Sequence, residues 1–195
     1  ARLLLLPVRS LQGSYKWVTS PQLIQRFRRD SSRMNGVAPN ASKLPTIKSG
    51  TYMGANHGIL FLEERQFEFA DAVSTDLHKE LEPLMLSSAE NLATRLVILS
   101  DDDFSWFARY GLAINARNVL DEVKKTSKNL WYEETISPDS LFYCLLSERD
   151  SSSEGCLDLV LDMFNKRPYL QAGGNETVGQ GWFGIRPILS QKEAV

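Results

Sequence analysis

Four consecutive leucines, Leu3–Leu6, stand near the start of the sequence and end directly at Pro7. The apolar run from Arg2 to Pro7 has the length of a β-strand and is too short for a buried helix, which needs about 10 to 12 residues. The run therefore predicts a strand in the hydrophobic core. Chains seldom begin inside a core strand, because termini are usually loose and polar, so we expect further residues before Ala1 in the complete protein.

The composition is typical of a globular protein. The 195 residues are 43% hydrophobic and 24% charged, which excludes a disordered chain, a collagen and a coiled coil. The sequence contains no stretch of about 18 apolar residues, so we expect no membrane span and a cytoplasmic location. Cys144 and Cys156 are too few for a disulfide framework or a zinc site.

The first helix has a clear start signal. Ser20 and Pro21 supply an N-cap and a first helical residue, and an apolar face follows them. Arg26, Arg28 and Arg29 then fall in the expected last turn. The sequence therefore predicts a short helix with a basic end.

The rest of the chain mixes short strands and helices without the long regular crossovers of a doubly wound sheet. Residues 31–58 show no sustained period and are predicted to form an irregular insertion or loop. Residues 112–136 are predicted to form a protruding hairpin with a charged connection. Further elements are predicted at 58–63, 66–70, 73–84, 95–99, 101–111, 141–146, 157–164, 169–172 and 182–188. This order predicts the α+β class, with a ferredoxin-like sheet and helices on one face.

The charge is distributed unevenly along the chain. The first 50 residues contain nine Lys or Arg and one acid, whereas the other 145 residues contain 13 basic and 23 acidic residues. This asymmetry fits an anionic partner for the first segment, a head-to-tail contact between copies of the chain, or charges dispersed over a solvated surface. Composition alone leaves these three alternatives open.

A glycine-dense segment at residues 173–184 is the most informative motif. Gly174 and Gly179 have the spacing of a phosphate-binding P-loop, but Gln180 and Gly181 replace the lysine and the hydroxyl that such a loop needs. The last three glycines also match the dinucleotide fingerprint, yet only 11 residues follow them. What remains is a loop whose backbone N–H groups can approach a polyanion, or a tight structural turn between two strands.

Candidate catalytic groups are few. His57 and His78 have no cysteine or paired carboxylate at metal-ligand spacing, so no metal site is predicted. The acidic run Asp101–Asp103 fits a helix N-terminus. Glu133 and Glu134 are the best acid/base candidates, because they follow two aromatic residues at the edge of the predicted hairpin. Solvated charges are the alternative for this pair.

Four motifs, taken together and in order, resemble one family. They are LLLLPVRSL at 3–11, WVTSP at 17–21 with Arg26 and Phe27, LWYEE at 130–134, and GGNETVGQG at 173–181. The set is similar to the fourth-subunit family of Cmr complexes, the RAMP-superfamily backbone proteins of type III-B CRISPR effectors. The match extends over essentially the whole chain.

This resemblance implies a modified RRM, or ferredoxin-like, fold with inserted finger and thumb elements, as one RAMP domain over residues 1–195. The glycine loop would hold the backbone of the guide RNA, and the 112–136 hairpin would be the thumb. The implied partners are a CRISPR guide RNA, a single-stranded target RNA, other copies of the chain and other Cmr subunits, acting in antiviral defence. No membrane partner is implied.

Residues expected to contact RNA lie in the glycine loop, in the basic first segment and around the hairpin. They are Gly173, Gly174, Asn175, Glu176, Thr177, Gly179, Gln180, Gly181, Arg9, Lys16, Arg26, Arg28, Arg29, Lys124, Lys125, Lys128 and Trp131. Trp131, with Tyr132, is a candidate for stacking on an RNA base, with core packing as the alternative. Gln180 departs from the basic residue expected in many relatives, which favours backbone N–H contacts there.

The resemblance also implies that the full-length protein cuts target RNA at regular intervals as an endoribonuclease that uses Mg or Mn. The family's catalytic aspartate lies in a segment expected before Ala1, so no nucleolytic residue is assigned and the enzymatic role of this chain stays open. No cofactor is assigned to the chain itself. The alternative function is a non-catalytic RAMP scaffold for filament assembly.

Overall fold

Strands and helices alternate through the parts of the chain that the structure, a computed structural model, describes: residues 1–35, 44–86, 89–124, 126–149 and 154–189. The strands are β1 (Arg2–Arg9), β2 (Tyr15–Thr19), β3 (Thr51–Met53), β4 (Ile59–Leu62), β5 (Arg65–Asp71), β6 (Leu96–Leu99), β7 (Ala113–Leu120), β8 (Ser127–Thr135), β9 (Leu141–Tyr143), β10 (Tyr169–Gln171) and β11 (Trp182–Gly184). The helices are α1 (Pro21–Asn35), α2 (Thr75–Leu81), α3 (Ala89–Arg95), α4 (Asp101–Tyr110) and α5 (Cys156–Lys166).

A seven-stranded mixed sheet forms the centre of the fold. Its strand order is β4-β5-β3-β6-β2-β1-β9, with β2 parallel to β6 and β3 parallel to β5. The pairs β7–β8 and β10–β11 form two separate two-stranded antiparallel sheets. The mixture of helices with a mixed sheet confirms the α+β class, whereas the ferredoxin-like strand arrangement stays a prediction.

The hydrophobic core lies around β1, β2 and β6. Leu4 and Leu5 in β1 and Leu96 and Leu99 in β6 are fully buried. Trp17 in β2 is buried among them at 1% exposure. The leucine run is therefore a core strand, as its length and uniform apolarity predict.

Helix α1 is longer than the sequence predicts. It continues to Asn35, so Arg26, Arg28 and Arg29 lie in its middle and not in its last turn. The helix continues because Asp30 is buried and paired: it accepts hydrogen bonds from Arg2 at 2.6 Å and from the Tyr143 hydroxyl at 2.8 Å. These tertiary contacts stabilise helical turns that local propensity would not.

The predicted irregular insertion at residues 31–58 is correspondingly shorter. Residues 31–35 are helical, and β3 lies inside the main sheet between β5 and β6. Residues 36–43 lie outside the described residues. The strand was missed because it has three residues, too few to show a period.

The turn after β8 is attached to the central sheet. The Trp17 indole N–H donates to the carbonyl oxygen of Asp139 at 3.1 Å, and the Tyr15 hydroxyl donates to its carboxylate at 3.3 Å. Asp139 has a positive φ of 62°. The hairpin β7–β8 therefore projects from a base that is tied to β2.

Asp103 connects α4 to the loop before β3. Its buried carboxylate accepts hydrogen bonds from Ser100 Oγ at 2.7 Å, Gly50 N at 2.9 Å and Ser49 Oγ at 3.1 Å, and pairs with Arg65 at 2.8 Å. Helix α4 begins at the acidic run, as the sequence predicts, and Ser100 is its N-cap, since its hydroxyl accepts from the Asp103 N–H. The sequence predicts Asp103 at the start of a helix. It does not predict that the buried carboxylate joins this helix to Ser49, Gly50 and Arg65.

The C-terminal elements are more exposed than the sequence predicts. Helix α5 has no buried residue, although the four apolar positions predicted to face inward are its less exposed positions: Leu157, Val160, Leu161 and Phe164. Cys144 and Cys156 are free and exposed. None of the helices in the described ranges is both long and apolar enough to span a membrane.

Candidate nucleic-acid interface

The glycine-dense loop connects the two short strands β10 and β11. Gln171 pairs with Trp182, and the Ala172 N–H donates to the Gly181 carbonyl oxygen at 2.8 Å, which closes the base of the loop. Residues 176–178 form a single 3-10 turn. The two strands predicted to bracket the loop are therefore present, each three residues long.

Left-handed backbone conformations shape this loop. Gly173, Gly179 and Gly181 have φ values of 94°, 79° and 75°, and Asn175 has 63°. Gly181 is the most constrained of them, because a Cβ atom there would overlap the Ala172 carbonyl oxygen. Only glycine therefore fits at this position without moving the backbone.

Two backbone donors of the loop have no hydrogen-bond partner among the described residues. The N–H groups of Gly179 and Gln180 donate within the loop, to the carbonyl oxygens of Glu176 and Asn175. The N–H groups of Gly173 and Gly174 donate no hydrogen bond to a described residue. A Cβ added at either of these glycines would meet no atom within 4 Å. This edge can therefore be approached closely by an acceptor such as a phosphate oxygen.

The hairpin contacts the loop through Glu133 in β8. The Glu133 carboxylate accepts hydrogen bonds from Trp131 Nε1 at 2.9 Å, Arg117 Nε at 3.2 Å and Asn175 Nδ2 at 3.3 Å. Asn175 Nδ2 also donates to the Gln180 side-chain oxygen at 2.9 Å. We call Glu133, Arg117, Trp131 and Asn175 the Glu133 cluster.

These donors keep Glu133 ionised. The hydrogen bond from Trp131 lowers the pKa of the Glu133 carboxyl, and Arg117 and Asn175 lower it further. A carboxylate with a lowered pKa is a poor proton donor at neutral pH. Glu133 therefore fits a binding role better than the acid/base role proposed from the sequence.

Glu134 does not join this cluster. Successive residues of a strand point to opposite faces, so Glu134 lies on the other face of β8, where it is exposed. The predicted acid/base pair is thus divided between two faces. Trp131 is 38% exposed and Tyr132 is 68% exposed, so neither side chain is buried in the core.

The predicted cations of the hairpin lie at its tip. The Lys124 side chain is exposed, while its backbone N–H donates to Asp121 at 2.8 Å. Lys128 pairs with Asp121 at 3.5 Å. Lys125 lies outside the described residues. The tip therefore presents at least one lysine whose ammonium is available for a phosphate.

Several cations of the basic first segment are paired within the chain. Arg9 is joined to Glu63 by three hydrogen bonds of 2.7 to 3.1 Å, and Arg28 is joined to Glu80 at 2.7 to 3.0 Å. Arg29 contacts Asp30 at 3.4 Å, and Arg26 is half-buried in α1. Two of the nine cations of this segment, Arg9 and Arg28, are therefore paired with acids from later segments.

Lys16 differs most from its predicted role. It is 5% exposed, and its ammonium donates to the Thr94 carbonyl oxygen at 2.9 Å. Burial lowers the pKa of Lys16, and the nearby Arg95 lowers it further. Lys16 lies in β2 with its side chain turned into the protein, so it is not placed as a surface cation for RNA.

Sequence reasoning missed Arg117 in this interface. Its Cα pairs with that of Trp131 across the hairpin, and this register was not specified by the sequence. The described residues contain no group of three or more His, Cys, Asp or Glu side chains that could hold a metal ion.

Comparison with known proteins places these features in one family. The CRISPR system Cmr endoribonuclease Cmr4 of Pyrococcus furiosus is 32% identical over 197 residues, which cover 95% of this chain and 66% of that protein. A crystal structure of oligomeric Cmr4 from Pyrococcus furiosus is 29% identical, with a TM-score of 0.69 over 93% of this chain and 68% of that chain. No family model matches the chain.

A cryo-EM structure of type III-B Cmr-beta bound to cognate target RNA shares the fold at 17% identity. Its TM-score is 0.64, over 94% of this chain and 67% of that chain. The chain thus shares its overall fold with type III-B Cmr proteins. The chain belongs to the Cmr4 family. It spans about two thirds of the length of the curated relative that it matches.

Proposed function

We propose that the chain is an RNA-binding backbone subunit of a type III-B Cmr effector complex. The observation that carries the proposal is the open edge of the glycine loop at Gly173 and Gly174, next to Asn175 of the Glu133 cluster: neither N–H group donates to a described residue, and a Cβ added at either glycine would meet no atom within 4 Å. Backbone donors of this kind bind a phosphate without reading the base, as a subunit that accepts guides of any sequence requires. The guide RNA would lie along this loop.

The hairpin would supply the remaining contacts. Lys124 and Lys128 can approach phosphates, and the partly exposed rings of Trp131 and Tyr132 can stack on a splayed base. A single-stranded target RNA, other copies of the chain and other Cmr subunits are the further partners in this proposal. The membership in the Cmr4 family supports them. A cytoplasmic location belongs to the same proposal.

The activity of the whole protein is part of the proposal as well. The Pyrococcus furiosus relative is a Cmr endoribonuclease, so we propose that the full-length protein cleaves target RNA. Mg or Mn would be its metal, and no residue of this chain is assigned to hold it. The present residues would bind and orient the RNA.

Binding of single-stranded CRISPR-type RNA across a salt series tests the proposal, with duplex DNA of equal length as the comparison. We expect the full-length protein to bind RNA in several copies per strand, with an affinity that falls steeply as salt rises, because each neutralised phosphate releases counterions. Absence of RNA binding at low salt would overturn it and favour a non-catalytic scaffold for filament assembly.

Lys124 and Lys16 should respond differently in the same assay. Replacing Lys124 with Met should weaken RNA binding and reduce the slope of log K against log salt by about one, because one phosphate contact is lost. Lys16→Met should leave that slope unchanged, because the Lys16 ammonium is buried against Thr94. A reduced slope for Lys16→Met would mean that the Lys16 ammonium leaves its buried position against Thr94 and contacts the RNA in the complex.

A further inference from the structure

Glu133 is the one residue of the hairpin that receives a hydrogen bond from the glycine loop among the described contacts. The bond from Asn175 runs between residues 42 positions apart in the sequence. Asn175 has a left-handed φ of 63°, and its carbonyl oxygen accepts the N–H groups of Val178 and Gln180. The residue that meets Glu133 therefore also sets the conformation of the loop.

The remaining donors of the cluster fix Glu133 from the hairpin side. Arg117 lies on β7 and Trp131 lies on β8, and both donate to the same carboxylate. Three donors from three segments thus meet at one ionised group. Hydrogen bonds to a charged group are stronger than those between neutral groups.

Beyond its base, which is tied to β2 through Asp139, the hairpin itself has no buried anchor among its described residues. Its two strands form a separate sheet, and no residue of β7 or β8 is buried. An isolated two-stranded sheet is only marginally stable in water. A contact at Glu133 can therefore decide where the hairpin lies relative to the loop.

We propose that Glu133 is a positioning residue that couples the glycine loop to the hairpin, so that RNA bound at the loop also orders the hairpin. This inference rests on the proposed RNA binding. Since the loop would hold the guide backbone and the hairpin would meet the bases, the coupling would place the hairpin at a fixed distance from each bound phosphate. Glu133 would act through Asn175 and would not itself contact RNA.

Amide hydrogen exchange of the full-length protein, with and without single-stranded RNA, tests the coupling. Without RNA, Glu133→Ala should accelerate exchange at residues 173–181 by about tenfold, the effect of losing one charged hydrogen bond. Glu134→Ala is the matched control, because it removes the neighbouring carboxylate from the opposite face, and it should leave the loop unchanged. Unchanged exchange in β1 and β2 would confirm that each variant folds.

With RNA, exchange should slow in both the loop and the hairpin of the wild type, but only in the loop of Glu133→Ala. The double variant Glu133→Gln with Asn175→Asp keeps the total charge and reverses the hydrogen bond, so it should restore slowing in the hairpin. Equal slowing of the hairpin in Glu133→Ala and wild type would overturn the coupling. If RNA slows exchange nowhere in the wild type, the proposal that the protein binds RNA is wrong. The exchange rates of wild type and Glu133→Ala without RNA still decide whether Glu133 holds the loop.

Discussion

Replacing Asp103 with Ala should destabilise the protein by about 3 kcal/mol, because it removes one partner of a buried ion pair and leaves several donors without an acceptor. The Arg65 guanidinium would lose its carboxylate while it lies over the rings of Phe67 and Trp106 at 5.4 and 4.9 Å. Ser49 and Gly50 would no longer be tied to α4. Chemical denaturation monitored by circular dichroism measures the loss.

Asp102→Ala is the matched control in the same helical turn. Asp102 is exposed, so we expect its replacement to change the free energy of unfolding by less than about 0.5 kcal/mol. Equal effects of the two substitutions would show that Asp103 acts only through the helix dipole. That result would contradict the role of Asp103 in connecting α4 to the loop before β3.

The stability that Asp103 contributes should depend on pH in the acid range. Burial alone would raise the pKa of Asp103, but hydrogen bonds from Ser100, Gly50 and Ser49 and the charge of Arg65 lower it below 3.8. A carboxyl with a lowered pKa stabilises the fold fully above its unfolded pKa, and this contribution is lost as pH falls through the folded pKa. The difference between wild type and Asp103→Asn should therefore shrink below about pH 3.8.

Replacing Gly181 with Ala should weaken RNA binding by about tenfold or more. The substitution combines a left-handed φ of 75° with a Cβ that overlaps the Ala172 carbonyl oxygen, so the base of the loop must open. Gly173 and Gly174, which follow directly on Ala172, would then be displaced. RNA affinity at fixed salt, measured by fluorescence anisotropy, gives the effect.

Gly179→Ala tests the effect of backbone strain alone, without the overlap that a Cβ at residue 181 makes with the Ala172 carbonyl oxygen. Gly179 has a similar φ of 79°, but a Cβ there would meet no atom within 4 Å. We expect an affinity loss several-fold smaller than for Gly181→Ala, because only the strain of a left-handed alanine remains, about 1 kcal/mol. A larger loss for Gly179→Ala would mean that the loop edge near residue 179, and not its base, contacts the RNA.

Local patterns predicted most of the elements because each pattern has a direct physical cause. The leucine run is too short for a helix, the acidic run at residues 101–103 marks the start of α4, and the hairpin is bounded by polar residues. Features that depend on distant partners were not predictable. The full length of α1 rests on contacts of Asp30 with Arg2 and Tyr143, which are 28 and 113 positions away.

In the candidate site, too, local features were predictable from the sequence and features that depend on distant residues were not. Glycine density identified the loop, because few other residues adopt left-handed backbone or permit close approach. The role of Glu133 depends on the register of β7 against β8 and on a contact with Asn175, and neither is encoded locally. Charge counting overestimated the basic surface, since Arg9 and Arg28 are paired with Glu63 and Glu80.

The exposed hairpin has a thermodynamic consequence for RNA affinity. A two-stranded sheet without a buried residue opens by local unfolding at a small fraction of the free energy that unfolds the central sheet. Part of the binding free energy would then go into ordering the hairpin each time an RNA is bound. Substitutions that stiffen β7 and β8, far from any phosphate, should therefore raise the affinity for RNA by lowering this entropic cost.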